Sequence, residues 1–184
     1  MPKRRKSLNS VDKQRDRDPQ QQSSPECYEG ERLDNVLANL LKSVELAKLS
    51  KTGQLPEKIW IKQQFAIGVN DVTRVLERMP PSEGKRDVPT KEVANSPLRR
   101  APLVPLQAVL LASDCSPQLL SKHIPILASS RNVPVIFVKD KKGGSLRLGE
   151  LVNLKTAIAI GVKDKGSCIN RAIDEVLLGQ ATSH

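Results

Sequence analysis

Aromatic side chains and long apolar runs are both scarce in this chain. Two Phe, one Tyr and one Trp make up 2% of its 184 residues, which argues against a surface that stacks single-stranded bases on aromatic rings. No apolar run approaches the roughly 20 residues that span a bilayer, and no apolar leader resembles a signal peptide. We therefore expect a soluble, intracellular protein with no membrane partner.

Residues suited to metal binding and catalysis are also few. Three cysteines lie far apart and there are two histidines, which favours reduced thiols and makes a disulfide framework or a zinc site improbable. Neither Cys115 nor His123 has a catalytic partner nearby in sequence. Residues 161–167 have the glycine spacing of a phosphate-binding loop but lack its lysine. The sequence predicts no enzyme, metal, cofactor or small-molecule substrate.

Basic residues, in contrast, are in excess. Thirty Lys and Arg against twenty Asp and Glu give a net charge of +10 and a pI near 9.7, which predicts a polyanionic partner. Residues 1–28 are rich in charge, Gln, Ser and Pro, so we expect a disordered basic tail. Its start, PKRRK, fits a nuclear localisation signal and equally a basic arm that touches phosphates.

The rest of the chain has the material for one domain. Its 38% hydrophobic content suffices for one core, which we place in residues 29–178. Apolar residues at spacings of three and four predict a first helix from Glu31 to the region of Gly53, where glycine can cap it. Residues 79–105 are proline-rich and lack periodicity, which predicts a flexible insertion, and 179–184 form a C-terminal tail.

Segments typical of strands and of helices alternate after the insertion. Three short apolar runs are typical of interior strands: 106–113, 133–139 and 155–162. Residues 116–132 predict a helix with Ser116 as its N-cap and a break or kink at Pro125, and Ser167 opens a last helix. This alternation predicts a compact α/β domain with a small mixed sheet between helices.

One further helix is predicted over residues 67–78. Its core-facing stripe has the spacing i, i+3, i+4, i+7: Val72, Val75, Leu76 and Met79. Its opposite side carries an amide, a carboxylate and two guanidinium groups: Asn70, Asp71, Arg74 and Arg78. Spacing alone also fits structural roles, with Asn70 as an N-cap and Asp71 as a first-turn acid paired with Arg74.

Four motifs occur in an order that resembles a known family. GVNDVTR, LLASDCSP, HIPILASSRNVPVIFV and LGELVNL, followed by a final apolar strand, resemble the kink-turn-binding ribosomal protein superfamily of archaea and eukaryotes. The resemblance covers residues 30–178 and leaves out the tail and the insertion. Within the superfamily, IGVNDVTRVLER and NLKTAIAI are most similar to the kink-turn subunit of nuclear ribonuclease P and ribonuclease MRP.

The resemblance implies a three-layer α-β-α sandwich with a small mixed four-stranded sheet. It also implies a non-catalytic protein that binds structured RNA at a kink turn and assembles with other protein subunits. The implied particle is ribonuclease P or MRP, with a role in tRNA or rRNA processing in the nucleus, within the nucleolus. The alternatives are a small nucleolar or ribosomal particle, or a protein-interaction module that has lost RNA binding.

The resemblance also assigns RNA-binding residues on the helix. Asn70, Asp71 and Arg74 match the family motif, which has Glu and Lys in most members where this chain has Asp71 and Arg74. Sheared G·A pairs expose purine edges, to which a carboxylate, a guanidinium and an amide can form hydrogen bonds. Gly68 is expected to let the backbone approach the RNA, and Arg78 extends the same face.

Two loops complete the predicted site. Lys141, in the basic stretch 139–147, lies near a family lysine that contacts the RNA backbone, although a solvated loop is the alternative. Residues 152–156 correspond to the family's loop over a flipped-out nucleotide, so Leu154 and Lys155 are predicted contacts. This loop is shorter than in the family and lacks the usual arginine and proline.

Overall fold

The chain forms a mixed β-sheet with helices against both of its faces. The computed structural model describes residues 27–50, 55–82, 103–114 and 121–181. The elements in chain order are β1 Cys27–Tyr28, α1 Gly30–Leu49, α2 Glu57–Gln64, β2 Phe65–Ile67, α3 Val69–Arg78, β3 Leu106–Ala112, α4 His123–Ser129, β4 Val135–Val138, α5 Gly144–Leu151, β5 Ala159–Lys163 and α6 Cys168–Ala181. None of these helices is long and apolar enough to cross a membrane.

The sheet has the strand order β1-β4-β3-β5-β2. β1, β4 and β3 run parallel, whereas β5 is antiparallel to both β3 and β2. The carboxyl ends of β2, β3 and β4 therefore share one edge of the sheet with the amino end of β5. The segments that enter or leave the strands at this edge are the ones the sheet brings together.

Two apolar clusters, one on each face of the sheet, form the core. In β3, Ala108, Leu110 and Ala112 belong to the cluster that includes α1, α2, α5 and α6. Val109 and Leu111 belong to the cluster formed with α3 and α4. Strand side chains alternate between faces, so a strand buried on both sides reads as one continuous apolar run. The predicted α-β-α sandwich is confirmed.

The sheet has five strands, so the predicted number of four is wrong. The additional edge strand is β1, in which Cys27 and Tyr28 align with Phe137 and Val138 of β4. Two residues are too few to show a strand period in the sequence, and the predicted tail included both. The remainder of that tail, residues 1–26, lies outside the described residues.

Several predicted helix and loop boundaries also differ from the structure. Pro125 does not break a helix: it is the third residue of α4, in the first turn, where a backbone N–H has no intrahelical acceptor. The predicted loop 139–147 ends at Gly143, because α5 begins at Gly144. The predicted C-terminal tail begins too early, since α6 continues to Ala181.

The ends of the predicted insertion belong to the core. Met79 is buried and Leu103 packs against the cluster on the α3 side, so only the interior of residues 79–105 can be an insertion. Its residues 83–102 lie outside the described ranges, as do Gly53 and the predicted N-cap Ser116.

Candidate nucleic-acid interface

A glycine with a left-handed backbone connects β2 to α3. Gly68 has φ +90° and is the N-cap of the helix, a conformation that side-chain-bearing residues rarely adopt. A Cβ on Gly68 would meet nothing within 4 Å, so its backbone angle, and not crowding by protein, requires glycine. Its N–H donates to the Ala159 carbonyl at 2.8 Å, which fixes the start of α3 to β5.

The polar face of α3 is exposed, as the sequence predicts. The N-cap of the helix is Gly68 and Asn70 is its second residue, so the N-cap interpretation of Asn70 is wrong. Arg74 Nη1 lies 3.7 Å from Asp71 Oδ1, and these side chains are 72% and 55% exposed. An exposed ion pair of this length contributes about 0 to 1 kcal/mol. Both groups can therefore exchange this contact for a ligand at little cost.

The loop before β5 lies beside this face. Leu154 is 48% exposed and lines a cleft of about 780 Å³ together with Asp71 and Arg74. Thr156 of the same loop lines an adjoining cleft of about 830 Å³ with Gly68 and Asn70. The structure thus brings five of the predicted residues together: Gly68, Asn70, Asp71, Arg74 and Leu154.

The loop is held in place by α5. The Leu154 N–H donates to the Gly149 carbonyl at 2.9 Å, and the Ala157 N–H donates to the Ser145 carbonyl at 2.8 Å. Asn153 has a positive φ of 53°, which Asn tolerates better than most residues. Lys155 is exposed in this loop but does not line either cleft.

Arg78 and Lys141 lie farther away. Arg78 is in the last turn of α3, seven residues after Asp71 and therefore about 10 Å along the helix axis. Lys141 follows β4, which β3 and β5 separate from β2. Three strand spacings place Lys141 about 14 Å across the sheet from Gly68. It lines another cavity, among the carboxylates of Asp34, Asp114 and Asp140.

Carboxylates also surround the last cation of the predicted basic stretch. The guanidinium of Arg147 pairs with Asp34, and its Nε lies 3.2 Å from Asp140 Oδ2. Its Nη1 lies 3.8 Å from Glu150 Oε2. Arg147 is therefore part of an ion-pair network that joins α5 to α1, and it is a weaker candidate for a phosphate contact than Lys141.

The structure adds two residues that sequence reasoning did not assign to the site. Nε2 of His123 lies 2.7 Å from Thr73 Oγ1, which joins α4 to α3 next to Asn70. Lys163, at the end of β5, lines the same cleft as Asp71. Both contacts depend on packing between distant segments, so no spacing in the sequence could have indicated them.

The described ranges contain no group of three or more His, Cys, Asp or Glu side chains suited to hold a metal ion. The polar groups of the interface are instead hydrogen-bond donors and acceptors with opposite charges side by side. Such a set can pair with base edges and with phosphates.

Comparison with known proteins finds a family match over part of the chain. Residues 99–170 match the model of the ribosomal protein L7Ae/L30e/S12e/Gadd45 family. This segment begins before β3 and ends in the first turn of α6, so it contains Lys141, Leu154 and Lys155 but not α3. No curated protein matches the chain.

Two solved structures are similar over most of the chain. One is the Giardia lamblia 15.5kD RNA binding protein, at 18% identity and a TM-score of 0.49, with 82% of this chain and 88% of that chain covered. The other is a Bacillus halodurans protein of unknown function, at 19% identity and a TM-score of 0.44, with 76% and 97% covered. The similarity to the L7Ae/L30e/S12e/Gadd45 family is that of residues 99–170, which include β3 and the start of α6.

Proposed function

We propose that this chain is a non-catalytic RNA-binding protein that recognises a kink-turn-like bend and helps to assemble a ribonucleoprotein. The observation that carries the proposal is the exposed face of α3, on which Asn70, Asp71 and Arg74 lie beside the loop with Leu154. The match of residues 99–170 to a ribosomal protein family supports it, and the net charge of +10 suits a polyanionic partner.

The chemistry of the face favours base edges over phosphates alone. A carboxylate accepts hydrogen bonds from the imino and amino groups of guanine, but it repels phosphate. A surface that binds only phosphates therefore gains nothing from Asp71. In the kink turn, sheared G·A pairs present guanine edges that an A-form helix keeps in its deep, narrow groove. Asp71 would accept from a guanine, while Arg74 and Asn70 would donate to purine acceptors or to a neighbouring phosphate.

The proposal is tested by two substitutions on α3. Arg74→Ala should cost about 1 to 3 kcal/mol of binding to a kink-turn RNA, the range for a lost bidentate base contact. Asp71→Asn should weaken that binding as well, although it makes the protein more positive. Affinities are measured on a kink-turn RNA and on a plain duplex of equal length, at two salt concentrations.

The matched control is Glu175→Gln. Glu175 is exposed on α6, which packs on the opposite face of the sheet from α3. This substitution removes the same charge away from the proposed face, so it should tighten both complexes slightly or leave them unchanged. If Asp71→Asn tightens both complexes as Glu175→Gln does, the protein binds by charge alone and recognition of G·A pairs is wrong.

We propose that the particle is nuclear ribonuclease P or ribonuclease MRP. The protein would then act in tRNA or rRNA processing and would be found in the nucleus, within the nucleolus. The support is the similarity of IGVNDVTRVLER and NLKTAIAI to the kink-turn subunit of these enzymes. Crosslinking the protein to RNA in cells and sequencing the bound RNA tests this assignment. Recovery of a small nucleolar or ribosomal RNA instead would replace the particle and leave the recognition chemistry in place.

A further inference from the structure

The cleft beside α3 has a second wall that the proposed recognition face does not use. This wall comes from α2 and from the end of β5, and it carries three lysines: Lys58, Lys62 and Lys163. Lys58 and Lys62 are exposed and Lys163 is half-buried. Lys58 and Lys62 are four residues apart on one helix, so they project from the same side of α2, about 6 Å apart.

The two carboxylates that line the cleft already face other cations. Glu57 Oε1 lies 2.6 Å from Lys48 Nζ, outside the cleft lining. Asp71 Oδ1 lies 3.7 Å from Arg74 Nη1. Within the described part of the chain, no carboxylate lies within 4 Å of the ammonium groups of Lys58, Lys62 or Lys163. The wall therefore has an excess of positive charge.

Lys163 is held in an environment that suits an added anion. Its Nζ donates to the Lys62 carbonyl at 2.6 Å, one of the carbonyls at the end of α2 that no helical N–H can reach. Burial lowers the pKa of Lys163 from its ordinary value of 10.5, and the neighbouring Lys165 lowers it further, while Asp71 acts in the opposite direction. A partly buried ammonium of this kind is stabilised by an anion placed beside it.

We propose that Lys58, Lys62 and Lys163 bind phosphates of the RNA backbone next to the bases read by α3. This inference rests on the proposed function, because Asp71 and Arg74 line the same cleft and an RNA held by them lies against its walls. The spacing of Lys58 and Lys62 is similar to that of neighbouring phosphates along one strand. The three lysines contribute affinity that does not depend on base sequence, whereas Asp71 contributes the preference for the kink turn.

The experiment measures RNA affinity against salt for the full chain. The variants are Lys58→Gln with Lys62→Gln, Lys163→Gln alone, and the three together, on the kink-turn RNA and on the duplex. Each lost phosphate contact should lower the slope of log affinity against log salt by about 1, so the triple variant should lose two to three. The ratio of kink-turn to duplex affinity should stay unchanged, because phosphate contacts carry no base information.

A control variant and the double variant separate a loss of phosphate contacts from a loss of charge or of stability. Lys42→Gln, on an exposed position of α1, removes one charge elsewhere and should leave the slope nearly unchanged. Lys163→Gln also removes the hydrogen bond to the Lys62 carbonyl and can lower stability. The side chains of Lys58 and Lys62 take no part in that bond, which uses the backbone carbonyl of Lys62, so this double variant tests the wall while the contact at the end of α2 is kept.

The outcomes separate this inference from the proposed function. If the wild type prefers the kink turn but the three lysine variants behave like Lys42→Gln, the wall does not bind RNA and the inference is overturned while the function stands. In that case an acidic protein partner would be the remaining candidate ligand of the lysine wall. If the wild type shows no kink-turn preference but the slope still falls in the lysine variants, the wall binds RNA and recognition by α3 is wrong. Absence of binding to either RNA overturns both.

Discussion

Gly149 in α5 contacts the loop 152–156 of the candidate interface. Replacing Gly149 with alanine tests how tightly the helix and this loop are packed. A Cβ at Gly149 would lie 2.6 Å from the Leu154 carbonyl oxygen, 2.8 Å from the Thr156 nitrogen and 2.9 Å from the Lys155 carbonyl carbon. All three are backbone atoms, so no side chain can rotate away. The Leu154 carbonyl would have to move by about 0.8 Å to reach ordinary van der Waals distance.

Two effects of Gly149→Ala oppose each other. Alanine in a helix interior is favoured over glycine by about 0.5 to 1 kcal/mol, whereas overpacking that forces backbone shifts costs about 1 to 3 kcal/mol. Steric cost should win, because the loop backbone is also tied to α5 through the Leu154 N–H and the Gly149 carbonyl. We expect a net loss of about 1 to 2 kcal/mol in the free energy of unfolding.

The matched control is Gly179→Ala in α6, where an added Cβ would meet nothing within 4 Å. Denaturant unfolding of both variants should show Gly149→Ala less stable and Gly179→Ala equal to or more stable than the wild type. Because Leu154 lines the cleft with Asp71, Gly149→Ala should also weaken binding to a kink-turn RNA. Equal stability of the Gly149 variant and the wild type would show that the loop moves freely and that Gly149 does not hold it in place.

Two further predictions concern stability. Asn170 is 4% exposed; its Oδ1 accepts from Lys165 N and Ser167 N, and its Nδ2 donates to Gln107 Oε1 and Lys163 O. Asn170→Ala should lower the free energy of unfolding, measured with denaturant, by about 2 to 4 kcal/mol, because several buried groups lose their hydrogen-bond partners. An effect below about 1 kcal/mol would contradict this network. The Lys48 hydrogen bond and charge lower the pKa of Glu57 below its ordinary 4.5, so its contribution to stability is present above that pH and is lost as the pH falls through the lowered value. Thermal unfolding from pH 3 to 7 should therefore show Glu57→Gln less stable than the wild type only at the upper end, and a constant difference would be the contrary result.

The elements that sequence reasoning predicted correctly are those with a strong period or a continuous apolar run. α3 shows this best, because Val72 and Leu76 are fully buried whereas Asn70, Asp71 and Arg74 are exposed. β3 reads as one apolar run because the sheet is covered on both faces. Here the local pattern and the final environment agree, and the sequence is sufficient.

Three elements could not be predicted from apolar periodicity: β1, β2 and α2. β1 and β2 have two and three residues, which is less than two strand periods. α2 has its apolar residues in one consecutive run, Ile59, Trp60 and Ile61, and not at helical spacing. It buries only Trp60, Ile61 and Gln64, so packing against the rest of the domain, and not a local period, decides its conformation.

The residues of the candidate site also divide into those that a local pattern could group and those that it could not. The residues of α3 could be grouped from sequence because one helix positions Asn70, Asp71 and Arg74 through its own geometry. Lys141 could not be placed relative to them, since its distance depends on the strand order β4-β3-β5-β2. Lys163 was missed because its place in the cleft follows from the antiparallel pairing of β5 with β2, which no local pattern encodes.

This antiparallel pairing explains why the interface forms where it does. β5 runs against β2 and β3, so the loop that precedes it emerges at the edge where β2 ends and α3 begins. The Gly68 N–H bonds to the Ala159 carbonyl at the start of β5, which links the recognition helix to the strand that follows the loop. At its other end β5 places Lys163 against the end of α2. One strand thus aligns the α3 face, the loop and the lysine wall along a single cleft, and side chains held on packed elements keep a binding geometry better than side chains on free loops.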